Sequence, residues 1–173
     1  MQRAVAAEFL GALLLTAAVV GSGIMGEQLA GGNAAVALLA NTGATVAALA
    51  TLIAVFGPVS GAHFNPVVTL VAFHQRQLTL PRTVAFIGAQ VAGCCAGAML
   101  ANVMFELPAI AASTHVRTGS SQWLSEVVAT AGLVYIAFSS PASAAAWRVP
   151  AWIGAAYWFT ASTSFANPAI TLG

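Results

Sequence analysis

The chain has 173 residues, of which 60% are hydrophobic and only 5% charged, with a mean hydropathy of +0.90 and a formal net charge of +1. A soluble domain carries roughly a quarter of its residues as charges, so the composition excludes a soluble protein and places the chain in a lipid bilayer. The near-neutral charge excludes a nucleic-acid partner, and at ~20 residues per span the length suits one bundle of about five spans with no second domain.

In chain order, the apolar segments fall at 4–25, 34–56, 83–105, 122–140 and 149–165. The first superficially resembles a signal peptide, with Arg3 ahead of an apolar run. It is long, contains Glu8 and is followed by further segments of its kind, so an uncleaved first span is expected. Breaks carry turn chemistry: a glycine-rich 26–33, a polar 74–82 with Pro81, a Ser/Thr-rich loop at 107–122, and 139–148 closing the fourth span. Small residues in the third segment, Gly93, Ala96, Gly97 and Ala98, suit close helix approach in lipid. Cys94 and Cys95 are sequence neighbours about 100° apart on a helix, too poorly placed to bridge each other, and read as small packing residues.

Two stretches, 57–74 and 160–173, are largely apolar yet too broken by Gly, Pro and polar residues to span. Irregular backbone at membrane depth survives only where protein buries it or where it lines a water-filled cavity. Each stretch carries Asn-Pro, at Asn65-Pro66-Val67 and Asn167-Pro168-Ala169, with a serine five residues earlier, Ser60 and Ser162. Glu8 opens the first segment much as Glu126 opens the fourth. The order predicts an inverted repeat, about 1–106 and 121–173, inside a single domain covering 1–173. Four of the five arginines (Arg3, Arg76, Arg82 and Arg148) then share one side with the N-terminus, and Arg117 lies on the other, which predicts a cytoplasmic N-terminus.

Proline suits the first turn of a helix, and asparagine before it is a good N-cap whose oxygen accepts a backbone N–H. The amide NH₂ is left to donate into a cavity. Each motif therefore reads as the start of a short re-entrant helix. Two such helices meeting end to end would aim positive dipole ends and two asparagine donors at one path. A hydroxyl oxygen could accept from both asparagines, while a cation would meet a barrier. No general acid, nucleophile or metal cluster is visible, so the chain reads as a non-enzyme without cofactor or metal.

The segments SGAHFNPVVTL and SFANPAITL resemble the paired signature loops of the major intrinsic protein (aquaporin and aquaglyceroporin) family, and Glu8, Gln90 and Glu126 fit the same pattern. The resemblance covers the whole chain. It implies an all-α integral membrane fold with two re-entrant half-helices, six spans, a pore in each subunit, a homotetramer in a bacterial inner membrane, and Glu8 and Glu126 bracing the loops. Three departures stand out. Val67 replaces the usual alanine. Ile170 replaces the arginine that usually follows the second motif, so the filter positions carried over by spacing, Thr45, Ala155, Ser164 and Ile170, imply a wide, uncharged filter without an aromatic. Finally, the chain stops at Gly173, which reads as a C-terminal truncation lacking the last span.

The implied function is a passive channel for small uncharged solutes: polyols such as glycerol, water, and arsenite through resemblance to a bacterial subset lacking the filter arginine. The alternatives are a mainly water-conducting channel, a non-conducting truncated fragment, and a secondary active transporter, which would want a carboxylate nearer the midplane. His63 reads as loop-capping or as lining the pore mouth, and His74 and His115 as solvated. Trp147, Trp152, Tyr157 and Trp158 read as candidate interfacial anchors.

Overall fold

The computed structural model describes residues 1–111 and 118–172, so Arg117 and His115 lie outside the described residues. Its helices are α1 (Gln2–Leu29), α2 (Ala34–Ser60), α3 (Pro66–His74), α4 (Leu80–Met104), α5 (Ser120–Ser139), α6 (Ala142–Phe159) and α7 (Pro168–Leu172). Of these, α1, α2 and α4 are long and apolar enough to cross a membrane. The shorter α5 and α6 run for 20 and 18 residues.

Local chemistry explains the boundaries. The Asn33 side chain caps α2 by accepting from the Ala35 and Val36 N–H groups at 3.1 and 3.3 Å. Pro81 stands in the first turn of α4, where a missing N–H costs nothing. Two expected segments are corrected. The second segment continues through Pro58 to Ser60. The fifth begins at Ala142 rather than 149 and ends at Phe159 rather than 165. The small, weakly apolar Ala-Ser-Ala-Ala-Ala run reads as a break by hydropathy, yet alanine is the best helix former. Only Ser140 and Pro141 separate α5 from α6.

The bundle is built around α1, which packs along α4 on one side and α2 on another; α2 then meets α6, and α6 meets α5. The α1–α4 seam depends on Gly93 and Gly97, four residues apart. A Cβ on either would collide with a carbonyl of α1, that of Phe9 or Leu13 respectively. Without a hydrophobic drive between helices in lipid, such backbone contact supplies the packing. Cys94 lies buried in this seam against Ala12 and Ala169, and both cysteines are free thiols. At the α5–α6 seam the Trp152 indole donates to the Ala129 carbonyl at 2.9 Å, so this half-buried ring is a packing residue. Trp147 and Trp158 are exposed.

Candidate functional site

Each Asn-Pro motif starts a helix. Asn65 has extended backbone, and its Oδ1 accepts from the Val67 N–H at 2.9 Å at the head of α3. Asn167 does the same for α7, accepting from the Ala169 N–H at 3.1 Å. The loops leading into them carry residues forced into the left-handed region: Ala62 and Phe64 in the first, Thr163, Ser164 and Ala166 in the second. None is glycine, so each conformation costs about 1–3 kcal/mol unless its surroundings hold it.

Two glutamates hold these loops. Glu8, fully buried, accepts through Oε1 from the Ser60 hydroxyl at 2.5 Å and the His63 N–H at 3.0 Å. Its Oε2 accepts from the Phe64 N–H at 2.7 Å and the Gln90 amide at 2.8 Å. Glu126, half-buried, accepts from the Phe165 and Ala166 N–H groups at 3.0 and 2.7 Å. Ser60 and Ser162 each turn a hydroxyl back to the N–H two residues on. Both glutamates sit seven residues into their helices, α1 and α5. Hydrogen bonds to a charged partner contribute about 1.5–3 kcal/mol each, enough to offset the left-handed backbone. Gly11 gives the first loop further room, because a Cβ there would occupy the space of the Phe64 ring.

The loops also hold each other. The Asn65 amide donates to the Ala166 carbonyl at 2.6 Å, and the Asn167 amide donates to the Phe64 carbonyl at 2.8 Å. Each NH₂ has two hydrogens. The expectation that the amides are wholly available to a cavity is corrected: one hydrogen of each is committed to the opposite loop.

Beside this junction lies a cavity of about 800 Å³, lined by α1, α2, α5, α6, both loops and the heads of α3 and α7. No Asp, Glu, Lys or Arg lines it among the described residues. Its walls are mainly apolar, with Leu15, Leu49, Leu133, Val149 and Ile153, while Asn65 and Asn167 supply polar atoms near the loop junction. Two helix prolines add to this. Pro58 and Pro150 cannot donate to the carbonyls of Ala54 and Ala146, and both of those alanines line the cavity.

The Major intrinsic protein family model matches residues 1–173. The chain belongs to the major intrinsic protein family. It is 52% identical to the aquaglyceroporin AqpS of Rhizobium meliloti, over 99% of this chain and 75% of that protein. It is 34% identical to a probable aquaporin TIP1-1 of Oryza sativa subsp. japonica, over 80% of this chain and 56% of that protein. Against the lens fiber major intrinsic protein of Gallus gallus it is 38% identical, over 56% of this chain and 35% of that protein. The chain thus spans three quarters of the rhizobial relative and about half or less of the other two. Family and apolar helices together make it a membrane protein with the aquaporin-like all-helical fold.

Within this family fold, Thr45, His63, Asn65, Ser164, Asn167 and Ile170 all line the one cavity. His63 is also tied through Nδ1 to the Thr69 hydroxyl at 3.1 Å. Val67 is absent from the lining, where its neighbour Val68 stands instead, and Pro66 and Ala169 are buried in packing. Pro168 is exposed. Ala155 is not in the cavity. It is exposed, and it lines a separate groove of about 480 Å³ with Tyr135, Trp147 and Arg148. The α6 residue facing Thr45 is Tyr157, with the two hydroxyls 3.3 Å apart. Spacing back from Asn167 missed it, and the expectation of a wall without an aromatic is corrected by it. The signal was present: Val149, Ile153 and Tyr157 recur every four residues, as one face of a helix requires.

Proposed function

We propose that this chain forms the solute path of a passive channel for small uncharged molecules, and that it is not an enzyme. The observation that carries the reading is the uncharged cavity into which Asn65 and Asn167 both project beside the heads of two short helices. A neutral hydroxyl can take the second hydrogen of each amide. A cation faces the positive end of α3, reinforced by the much shorter α7, with no carboxylate lining the path among the described residues. Asn65-Pro66-Val67 and Asn167-Pro168-Ala169 then act as the pore motifs, Glu8 and Glu126 as loop supports, and His63 as a mouth residue.

Polyols such as glycerol, with water alongside, fit a wall that has Ile170 where a narrowing arginine usually stands. The similarity to a rhizobial aquaglyceroporin supports that class. Arsenite, as neutral As(OH)₃, belongs to the same class of small hydroxylated solutes. The family relationship supports a homotetramer in a bacterial inner membrane. Arg3, Arg76, Arg82 and Arg148 favour a cytoplasmic N-terminus, with the His63 end of the cavity facing the cytoplasm.

The test is stopped-flow light scattering of vesicles containing the purified protein under a glycerol gradient. Glycerol entry well above protein-free vesicles is expected. Entry equal to the protein-free rate, with water flux raised, would replace the polyol reading by a water channel. A parallel arsenite-uptake assay in expressing cells checks that solute separately.

A further inference from the structure

We propose that the backbone carbonyls of Ala54 and Ala146 form a solute subsite at the His63 end of the cavity, which takes neutral molecules carrying at least two hydroxyl donors. The inference rests on the channel reading above and extends it to a part of the cavity away from the Asn65–Asn167 junction.

Position comes first. From the Thr45–Tyr157 contact, the α2 wall of the cavity runs forward through Leu49 to Ala54 and Gly61. The α6 wall runs backward from the same contact through Ile153 to Ala146 and Ala142. Two walls that leave one point along the same cavity in opposite chain directions belong to antiparallel helices. Ala54 is nine residues from Thr45, and Ala146 is eleven from Tyr157. At 1.5 Å per residue these are about 14 and 17 Å, so the two alanines stand at nearly the same height. A helix carbonyl points toward its own C-terminus, so across an antiparallel pair the two oxygens lean toward a common level.

Chemistry follows. Each carbonyl has lost its helical donor four residues on, at Pro58 for Ala54 and at Pro150 for Ala146. The proline ring also presses on that same carbonyl and bends the helix there. Ala54 and Gly57 on α2, and Ala145 and Ala146 on α6, line the cavity with side chains too short to cover an oxygen. A carbonyl accepts and never donates, so its partner must bring an O–H or N–H. The asparagine amides at the junction ask the reverse, and a hydroxyl, which both donates and accepts, answers each in turn. Phe138, four residues before Ala142, lines the cavity too and offers an apolar face to a carbon skeleton. Water can donate to the carbonyls but gains nothing from that face, so the subsite favours a polyol.

The competing role for the two prolines is to bend α2 and α6 without touching solute. Glycerol and water permeabilities are compared in vesicles holding wild-type protein, Pro58→Ala, Pro150→Ala or the control Pro81→Ala. Pro81 stands in the first turn of α4, where no helical carbonyl awaits its N–H. Pro58→Ala and Pro150→Ala each return an N–H to a cavity carbonyl. Each should lower the glycerol-to-water ratio about fivefold, the worth of one hydrogen bond, while Pro81→Ala leaves it unchanged. An unchanged ratio in either cavity variant, equal falls of both permeabilities, or a like fall in Pro81→Ala would overturn the proposal. Alanine in place of a helix-interior proline favours the helix, so folded protein is expected. If both cavity variants fail to fold, wild-type vesicles decide with two isomers, propane-1,3-diol and 2-methoxyethanol. Both carry two oxygens, but the diol brings two O–H donors and the ether only one. Flux above protein-free vesicles should favour the diol about fivefold, and equal fluxes overturn the subsite. Wild-type protein that passes neither water nor glycerol would sink the channel reading itself, a result distinct from any change of ratio.

Discussion

Asn65 and Asn167 restrain each other's loops: the amide of each donates to the carbonyl immediately before the other, at 2.6 Å to Ala166 and 2.8 Å to Phe64. Neither loop's geometry is independent of the other, although a hundred residues separate them. An asparagine that starts a helix with its oxygen and clasps the opposite loop with its nitrogen uses both ends of one short side chain.

Replacing Asn65 by Asp keeps the acceptor for the Val67 N–H but sets a carboxylate against the Ala166 carbonyl. The clasp should open, and the uncharged wall gains a negative charge beside the α3 head. Cation leak into vesicles loaded with a sodium-sensitive dye should rise above the wild-type level. An unchanged leak together with wild-type glycerol flux would contradict the barrier assigned to this junction.

Glu8→Gln turns two acceptors into one acceptor and one donor, facing four donors that the carboxylate now satisfies. At least one buried N–H is left unpaired, a loss of about 1–3 kcal/mol for each such group. Glu126→Gln should cost less, because Glu126 is half-buried and water can serve its partners. Thermal unfolding in detergent, followed by tryptophan fluorescence, should rank the apparent midpoints wild type above Glu126→Gln above Glu8→Gln. The reverse order would show that burial does not set the cost.

At the α1–α4 seam, Gly97→Val drives a branched side chain into the Leu13 carbonyl. The helices must separate, costing about 1–3 kcal/mol or more, so the yield of monodisperse protein on size-exclusion chromatography should fall sharply. Met99→Val, on an exposed position of the same helix, is the control and should leave the yield unchanged.

Ile170→Arg places a long cation in a cavity that has no charged lining among the described residues. It narrows the path, and glycerol flux should fall at least about tenfold, equivalent to 1.4 kcal/mol in the barrier, while water flux falls less. Equal loss of both would point to a collapsed wall and not to a filter.

Much was legible in the residues themselves. Scarcity of charge excludes a soluble fold. Asn-Pro favours a capped helix start at both motifs, because proline's missing N–H and asparagine's oxygen act within three residues. The order of Glu8 and Glu126 in the two halves showed the repeat, and their role in bracing the loops came through the family resemblance. Helix α6 was harder, since Ala142–Ala146 carry little hydropathy while favouring helix strongly.

Tertiary structure alone decided which side of each helix meets the cavity. Ala155 and Tyr157 are two residues apart, about 200° around the helix, so a small shift in alignment exchanges an outward methyl for an inward phenol. Counting back from Asn167 crosses a loop of irregular geometry, where residue number no longer measures distance. The cross-clasp of Asn65 and Asn167 is likewise invisible in sequence, because local chemistry specifies only the oxygen of each side chain. What the nitrogen meets depends on how α1 and α5 carry the two glutamates, and on how closely Gly93 and Gly97 let the helices approach.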